Sequence, residues 1–254
     1  MHPSQVMSSW KAVSARAAAP IAIASLAGMA APSPALLAVG RCADRGSTRA
    51  RLLLGGLFLY AVYSYVIYAL GLHFNRLFLV YCAAIGLSAA GLLRVTVELV
   101  RERAWTRYAD DAPVRLAGGT SIAIAAVFAA LWLRDIVPAV IHGGAPASLV
   151  AVGLATNPVQ ALDLALALPA LFTAGLAMVR RRPAGLLAVP ALLTFSAVMA
   201  VAMIVMSAAT WARGVADGLA SLVFASVLLT GSAVVVARLM RSIERSARGP
   251  SAGI

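Results

Sequence analysis

The sequence predicts an all-α fold, a polytopic transmembrane helix bundle of about seven spans, and two observations carry that prediction. First, 62% of the 254 residues are hydrophobic and only 12% are charged, whereas about 25% of residues are charged in a typical soluble domain. Second, the apolar residues form long runs, and a helix needs about 20 of them to cross the hydrocarbon core. Because so few charges could not cover the surface of a soluble fold, the bilayer must be the solvent for most of the chain.

Seven apolar stretches are long enough to span the bilayer, and we assign them to a single transmembrane domain over residues 1–254. The first stretch is the least regular, because Pro20, Pro32 and Pro34 interrupt it and proline removes a hydrogen bond from a helix interior. A cleaved signal peptide is the alternative interpretation of this stretch. The predicted spans are 18–40, 52–70, 77–99, 116–140, 158–179, 184–209 and 218–239.

The connections between the spans alternate in their content of basic residues. Fifteen arginines lie at one set of span ends and five basic residues lie at the other, with Arg94 inside the third span. The positive-inside rule assigns the richer set to the cytoplasm, which places the N-terminus outside and the C-terminus inside. The richer set is Arg41, Arg45, Arg49, Arg51, Arg101, Arg103, Arg107, Arg115, Arg180, Arg181, Arg182, Arg238, Arg241, Arg245 and Arg248, and the poorer set is Lys11, Arg16, Arg76, Arg134 and Arg213.

The abundance of arginine predicts which membrane the protein occupies, and the positions of the basic residues predict its partners. Arginine replaces lysine almost throughout and alanine is abundant, a composition typical of a GC-rich bacterial gene, so we expect the bacterial cytoplasmic (inner) membrane. A net charge of +12 raises nucleic acid as a partner, but no basic face with interleaved aromatic residues exists, and we expect no nucleic acid. We assign the arginine clusters to the anionic headgroups of the lipid bilayer, and a homo-oligomer is left open.

A few polar residues lie inside the spans, and Asp163 is the clearest of them. A charged side chain at the centre of a span costs about 2.5–3.5 kcal/mol on insertion scales, so an intramembrane acid calls for a reason. Asn157 and Pro158 have the form of a helix start, with Asn as the N-cap and Pro in the first turn. Gln160 and Asp163 follow at three-residue spacing, so they share a broad face with Asn157, and Asp163 lies about 9 Å further into the membrane.

Other polar side chains are expected at a similar depth, near the outer ends of spans two to four. If these spans pack together, the side chains line one outward-facing pocket for a lipid headgroup or a small molecule, with Asp163 as its central acid. Besides Asn157, Gln160 and Asp163, the predicted members are Tyr65, Tyr68, His73, Asn75, Arg134 and Asp135. The alternatives are structural: interfacial aromatics, an arginine that snorkels, an asparagine cap and an acid that only joins neighbouring helices.

Several segments together resemble a family of uncharacterised bacterial multi-pass integral membrane proteins. The segments are Asp44-Arg45-Gly46-Ser47, Arg49-Ala50-Arg51-Leu52-Leu53, Tyr63 to Gly71, His73 to Leu79, Asn157 to Leu164 and Leu168-Pro169-Ala170. Members of that family often carry His where this chain has Gln160. The family brings no established activity, so the resemblance implies architecture and location only.

The motifs that mark membrane-embedded catalysis or cofactor binding are absent from the sequence. No histidine pair at haem depth, no lysine in a span, no phosphate-binding loop and no cysteine pair at metal spacing occurs, so we expect no cofactor, no metal and no catalytic residue. Three functions stay open. A non-enzymatic protein with an outer pocket is favoured, because the polar groups gather in the outer leaflet, and a small secondary transporter or a membrane-embedded enzyme using Asp163 and Asp135 is the alternative.

Overall fold

The computed structural model describes residues 32–72, 74–146, 149, 156–212 and 218–243, and these residues form seven helices. A 3₁₀ turn, Ala104–Arg107, lies between the third and fourth helices. The helices are α1 (Pro32–Asp44), α2 (Thr48–Gly71), α3 (Phe78–Arg101), α4 (Val114–Ile141), α5 (Pro158–Val179), α6 (Pro183–Trp211) and α7 (Gly218–Arg241).

Within the described residues, six helices, α2 to α7, are long and apolar enough to cross a membrane. Their bounds agree with the predicted spans to within a few residues, because the apolar runs end at arginine clusters or at helix-breaking residues. The all-α bundle is therefore confirmed. The first predicted span, 18–40, is described only from residue 32 onward, where it belongs to α1, and the rest of it lies outside the described residues.

Helix α6 is the centre of the bundle, with contacts to α2, α4, α5 and α7. Helix α3 packs mainly on α2, and α4 packs mainly on α5. Two short connections make antiparallel neighbours, as their lengths predict: 72–77 joins α2 to α3, and Arg180 to Arg182 joins α5 to α6. In the second connection Arg181 has a positive φ of 51°, which reverses the chain so that α6 begins at Pro183.

The two ends of the bundle differ in charge. The arginine-rich end, formed by residues 41–51, 101–115, 180–182 and 238–243, is tied together across the chain. Nε of Arg49 donates to the Ile243 carbonyl at 3.1 Å, and the Tyr108 hydroxyl donates to the Leu186 carbonyl at 2.8 Å. Burial of the Tyr108 ring raises the pKa of its hydroxyl. The described part of the arginine-poor end carries Arg76 and Arg134.

The largest core cluster lies in the arginine-rich half, and two smaller clusters lie further from that end. Beside the largest cluster, α4 and α5 approach very closely at Gly118 and Gly175. A Cβ added at Gly118 would lie 2.6 Å from the Gly175 carbonyl oxygen, a distance that no side chain tolerates. Glycine at this point therefore fixes the spacing of α4 and α5 along the rest of their length.

Candidate functional site

Five side chains from three helices form a buried polar cluster in the arginine-poor half, which we call the polar ladder. Helices α4 and α5 supply one side chain each to an upper and to a lower rung, and α2 adds one side chain to the lower rung. The members are Asp135 and Trp132 of α4, Gln160 and Asp163 of α5, and Tyr63 of α2. Because the two α4 residues and the two α5 residues are each three apart, both rungs lie on facing sides of the two helices.

Asp163 forms the lower rung, deeper in the bundle, and is only 8% exposed. The Tyr63 hydroxyl donates to Oδ1 of Asp163 at 2.7 Å, and Nε1 of Trp132 donates to Oδ2 at 2.8 Å. Each carboxylate oxygen thus accepts one hydrogen bond from a different helix. The apolar surroundings include the Phe195 ring, which packs on the Tyr63 ring, and Leu162, which packs against the cluster that contains both rings.

Gln160 and Asp135 form the upper rung, nearer the arginine-poor end. Nε2 of Gln160 donates to Oδ2 of Asp135 at 2.9 Å. Gln160 is 5% exposed, whereas Asp135 is partly exposed. The upper rung therefore holds a second acid, which reaches the surface of the bundle, about one helical turn from the buried acid.

The start of α5 is built as its sequence predicts. Oδ1 of Asn157 accepts from the backbone N–H groups of Val159 at 3.0 Å and Gln160 at 3.3 Å, and Pro158 occupies the first turn. A Cβ added at Gly71 would lie 2.7 Å from the Pro158 ring, so the end of α2 packs directly against the start of α5. This contact helps to bring Tyr63 to Asp163.

Helix α5 is not regular at the acid. Residues Asp163–Ala167 form a π-helical turn, in which the Leu168 N–H bonds to the Asp163 carbonyl, five residues earlier. The buried residues of α5 follow helical steps of three or four except for the step of five from Asp163 to Leu168, and they are Gln160, Asp163, Leu168, Leu171, Gly175 and Met178. The π-helical turn thus keeps the polar rungs and the Gly175 contact on one face, and such turns are frequent at functional sites.

The structure places the other predicted pocket residues in different surroundings. Tyr65 and Tyr68 form a cluster of three rings with Tyr81 of α3, with centroids 5.8–6.1 Å apart. Oδ1 of Asn75 accepts from the Leu77 N–H at 2.9 Å, which stabilises the turn before α3, and Arg134 is exposed. His73 lies outside the described residues.

Sequence reasoning missed two members of the polar ladder, Tyr63 and Trp132. Trp132 lies three residues before Asp135, as Gln160 lies three residues before Asp163. The same three-residue spacing on two neighbouring spans was the signal that could have indicated that these four residues face one another. Tyr63 carried no comparable signal, because it stands among four tyrosines of α2 and only the rotation of that helix selects it.

A second polar cluster, at the arginine-rich end, joins α2 and α3. Nε of Arg94 donates to Oε1 of Glu98 at 2.9 Å, the pair that their four-residue spacing predicts. Arg51 pairs with Glu102 and lies 3.8 Å from Glu98, and Arg107 lies 3.5 Å from Glu102. The two acids are thus each shared by two arginines.

The described residues contain no group of three His, Cys, Asp or Glu side chains that could hold a metal ion. Both thiols, Cys42 and Cys82, are free and exposed. The chemistry that the polar ladder offers is hydrogen bonding by one buried carboxylate and one partly exposed carboxylate.

The six apolar spans make this chain a multi-pass integral membrane protein. Its distinguishing feature is an acid held inside the bundle by three helices. Comparison with protein-family models, with curated proteins and with solved structures found no match to the chain.

Proposed function

We propose that the polar ladder is a ligand site, and that the protein binds a small molecule or a lipid headgroup there without catalysing a reaction. The observation that carries the proposal is the buried Asp163 carboxylate, joined to both α2 and α4. An ionisable side chain inside the membrane costs free energy, and its presence there indicates a functional site. The π-helical turn that starts at the same residue is a second irregularity at the same place.

The chemistry of Asp163 selects the class of ligand. An ionised carboxylate has about four acceptor positions, and two of them are filled by Tyr63 and Trp132. The remaining positions accept hydrogen bonds only, so the ligand must donate them. An ammonium group or a hydroxyl group of a small molecule or lipid headgroup meets that requirement.

The upper rung indicates the side from which a ligand would approach Asp163. Asp135 is partly exposed and is bonded to Gln160, which is one helical turn from Asp163. A ligand that enters from the arginine-poor end therefore meets acceptor groups in sequence. The arginine distribution supports the assignment of that end to the outside of a bacterial inner membrane, and a reporter fused after Ile254 should then be cytoplasmic. A periplasmic reporter signal would reverse the assignment.

Secondary transport is the second candidate, and the π-helical turn of α5 favours it. Transporters carry interrupted helices beside their substrate sites, and α6 contains Pro190 within its span. Catalysis is less well supported, because Asp135 and Asp163 lie on separate rungs and each already has its own hydrogen-bond donor. Uptake of a bound ligand into proteoliposomes would favour transport over binding alone.

Asp163→Asn tests the proposal. The asparagine keeps the size of the side chain but replaces one acceptor oxygen by a donor, so a ligand that donates to Asp163 should bind at least about tenfold more weakly, or about 1.4 kcal/mol. Native mass spectrometry of the purified protein identifies any small molecule or lipid that remains bound, and titration of that compound gives its affinity.

Asp111→Asn is the matched control, because Asp111 is an exposed acid at the opposite end of the bundle. We expect the control to bind as the unaltered protein does. Equal binding by all three proteins, with Asp163→Asn folded to the same thermal stability, would overturn the proposal.

A further inference from the structure

A groove at the arginine-rich end separates the start of α4 from the end of α5. It is lined by residues 112–116 and 179–181 and has a volume of about 430 Å³. This size falls in the range of ordinary small-molecule pockets, about 300–1,000 Å³. The groove lies at the other end of α4 and α5 from the polar ladder, and it is a separate site.

Two arginines in this groove differ from those that tie the arginine-rich end together. Arg51 and Arg107 pair with acids, and Arg49 bonds to a backbone carbonyl. Arg115 and Arg180 line the groove and are exposed, and neither side chain has a hydrogen bond or an ion pair to any described residue. Their guanidinium groups are therefore available to a ligand.

Arg181 completes the basic lining and is held in place. Its guanidinium donates to the backbone carbonyl of Asp110 at 2.5 Å, which joins the α5–α6 connection to the loop before α4. The backbone N–H groups of Arg181 and Arg182 bond to the carbonyls of Met178 and Ala177, both at 2.8 Å. These bonds end α5 in a fixed geometry, so Arg180 stays beside the groove.

The remaining lining is apolar and continues into the spans. Val114 is buried, and the side chains of Leu116 and Val179 are exposed on the surface of the bundle. Basic residues above an exposed apolar surface are typical of the headgroup level of a membrane. The acids nearest in sequence, Asp110 and Asp111, are exposed, and the groove itself is lined by three arginines and no acid.

We propose that this groove binds a phosphate group through Arg115 and Arg180, either the phosphodiester of an anionic phospholipid or free phosphate. Guanidinium groups match phosphate oxygens in geometry and stay charged at every physiological pH. The apolar lower lining would contact the acyl chains of a lipid. The proposal is independent of the polar ladder and of the ligand assigned to it.

The test compares two double variants of equal charge. Arg115→Gln/Arg180→Gln removes both free arginines of the groove, and Arg41→Gln/Arg101→Gln removes two exposed arginines at the same end but outside it. Each protein is delipidated in detergent and titrated with phosphatidylglycerol, with phosphatidylcholine as the zwitterionic reference. Retained lipids are counted by native mass spectrometry, and thermal stability is measured in parallel.

We expect phosphatidylglycerol to bind the unaltered protein and the Arg41/Arg101 variant, and to bind the Arg115/Arg180 variant at least about tenfold more weakly, or about 1.4 kcal/mol. A second titration with inorganic phosphate, against chloride at equal ionic strength, distinguishes the sources. Stabilisation by phosphate assigns the site to free phosphate, and stabilisation by the lipid alone assigns it to a headgroup. Equal binding of phosphatidylglycerol by the two double variants, together with equal stabilisation of both variants by inorganic phosphate, would overturn the proposal.

Discussion

The polar ladder and the arginine-rich end stabilise their polar side chains in opposite ways. The ladder has few polar side chains, which are buried or partly buried and are bonded across helices at 2.7–2.9 Å. The arginine-rich end has many charges, and two of its acids, Glu98 and Glu102, are each shared by two arginines in partly exposed pairs. The first arrangement therefore depends on helix positions, and the second depends on charge in contact with water.

Because of this difference, the two regions should respond differently to ionic strength. Hydrogen bonds shielded from water do not respond to ionic strength, whereas exposed ion pairs weaken as salt screens them. The ladder and the groove at the arginine-rich end nevertheless depend on the same interface, because both lie between α4 and α5. The Gly118 and Gly175 contact lies between them along those helices.

The largest effect is expected from Gly118→Leu, which should disrupt both regions at once. The new Cβ would meet the Gly175 carbonyl oxygen at 2.6 Å and a Val179 methyl at 2.7 Å, so α4 and α5 must separate. We expect a loss of roughly 3 kcal/mol or more of folding free energy, measured by thermal unfolding in detergent. Gly119→Leu is the control, because no atom lies within 4 Å of a Cβ there; equal losses would show that the close approach is unimportant.

A smaller effect, confined to the polar ladder, is expected from Tyr63→Phe and from Trp132→Phe. Each removes one donor to Asp163, and hydrogen bonds between spans are worth about 0.6–1.7 kcal/mol. The loss should be the same at low and high salt. Tyr65→Phe keeps the ring that packs on Tyr81 and should change the unfolding free energy by less than half as much; a loss as large as that of Tyr63→Phe would contradict the assignment.

The smallest effect is expected from Arg51→Gln at the arginine-rich end. The change removes the pair with Glu102 and the contact with Glu98, and partly exposed pairs contribute less than about 1 kcal/mol. The difference from the unaltered protein should shrink between 0.1 M and 1 M salt, as the screening length falls from about 10 Å to about 3 Å. Arg101→Gln serves as the control, and a loss independent of salt would show that packing outweighs charge at Arg51.

The spans could be predicted from the sequence because they depend on local composition. Arginines flank the apolar runs, and Asn157 with Pro158 marks the start of α5 through short-range hydrogen bonds. The Arg94 and Glu98 pair also follows from spacing within one helix. The helix start and the ion pair are each decided by residues less than two helical turns apart.

The contacts of Asp163 could not be predicted, because they depend on how three helices rotate about their axes. The sequence identified the acid and its position in the span, but Tyr63 and Tyr65 are equally polar and only packing places Tyr63 against Asp163. The π-helical turn was not predicted either, although Pro169, two residues after Asp163–Ala167, has no N–H to donate to the carbonyl of Ala165.

The π-helical turn also shifts the rotational phase of α5, which is the direction in which its side chains point around the helix axis. A regular helix turns about 100° per residue, so the five-residue step from Asp163 to Leu168 would leave the two side chains about 140° apart. In α5 both are buried, so the helix behaves as two regular halves displaced by about one residue. Adding or removing one residue in either half would rotate the side chains beyond the change by about 100° and turn them away from α4. In a sequence alignment, a one-residue gap between Asp163 and Leu168 would mark a chain in which this helix is regular.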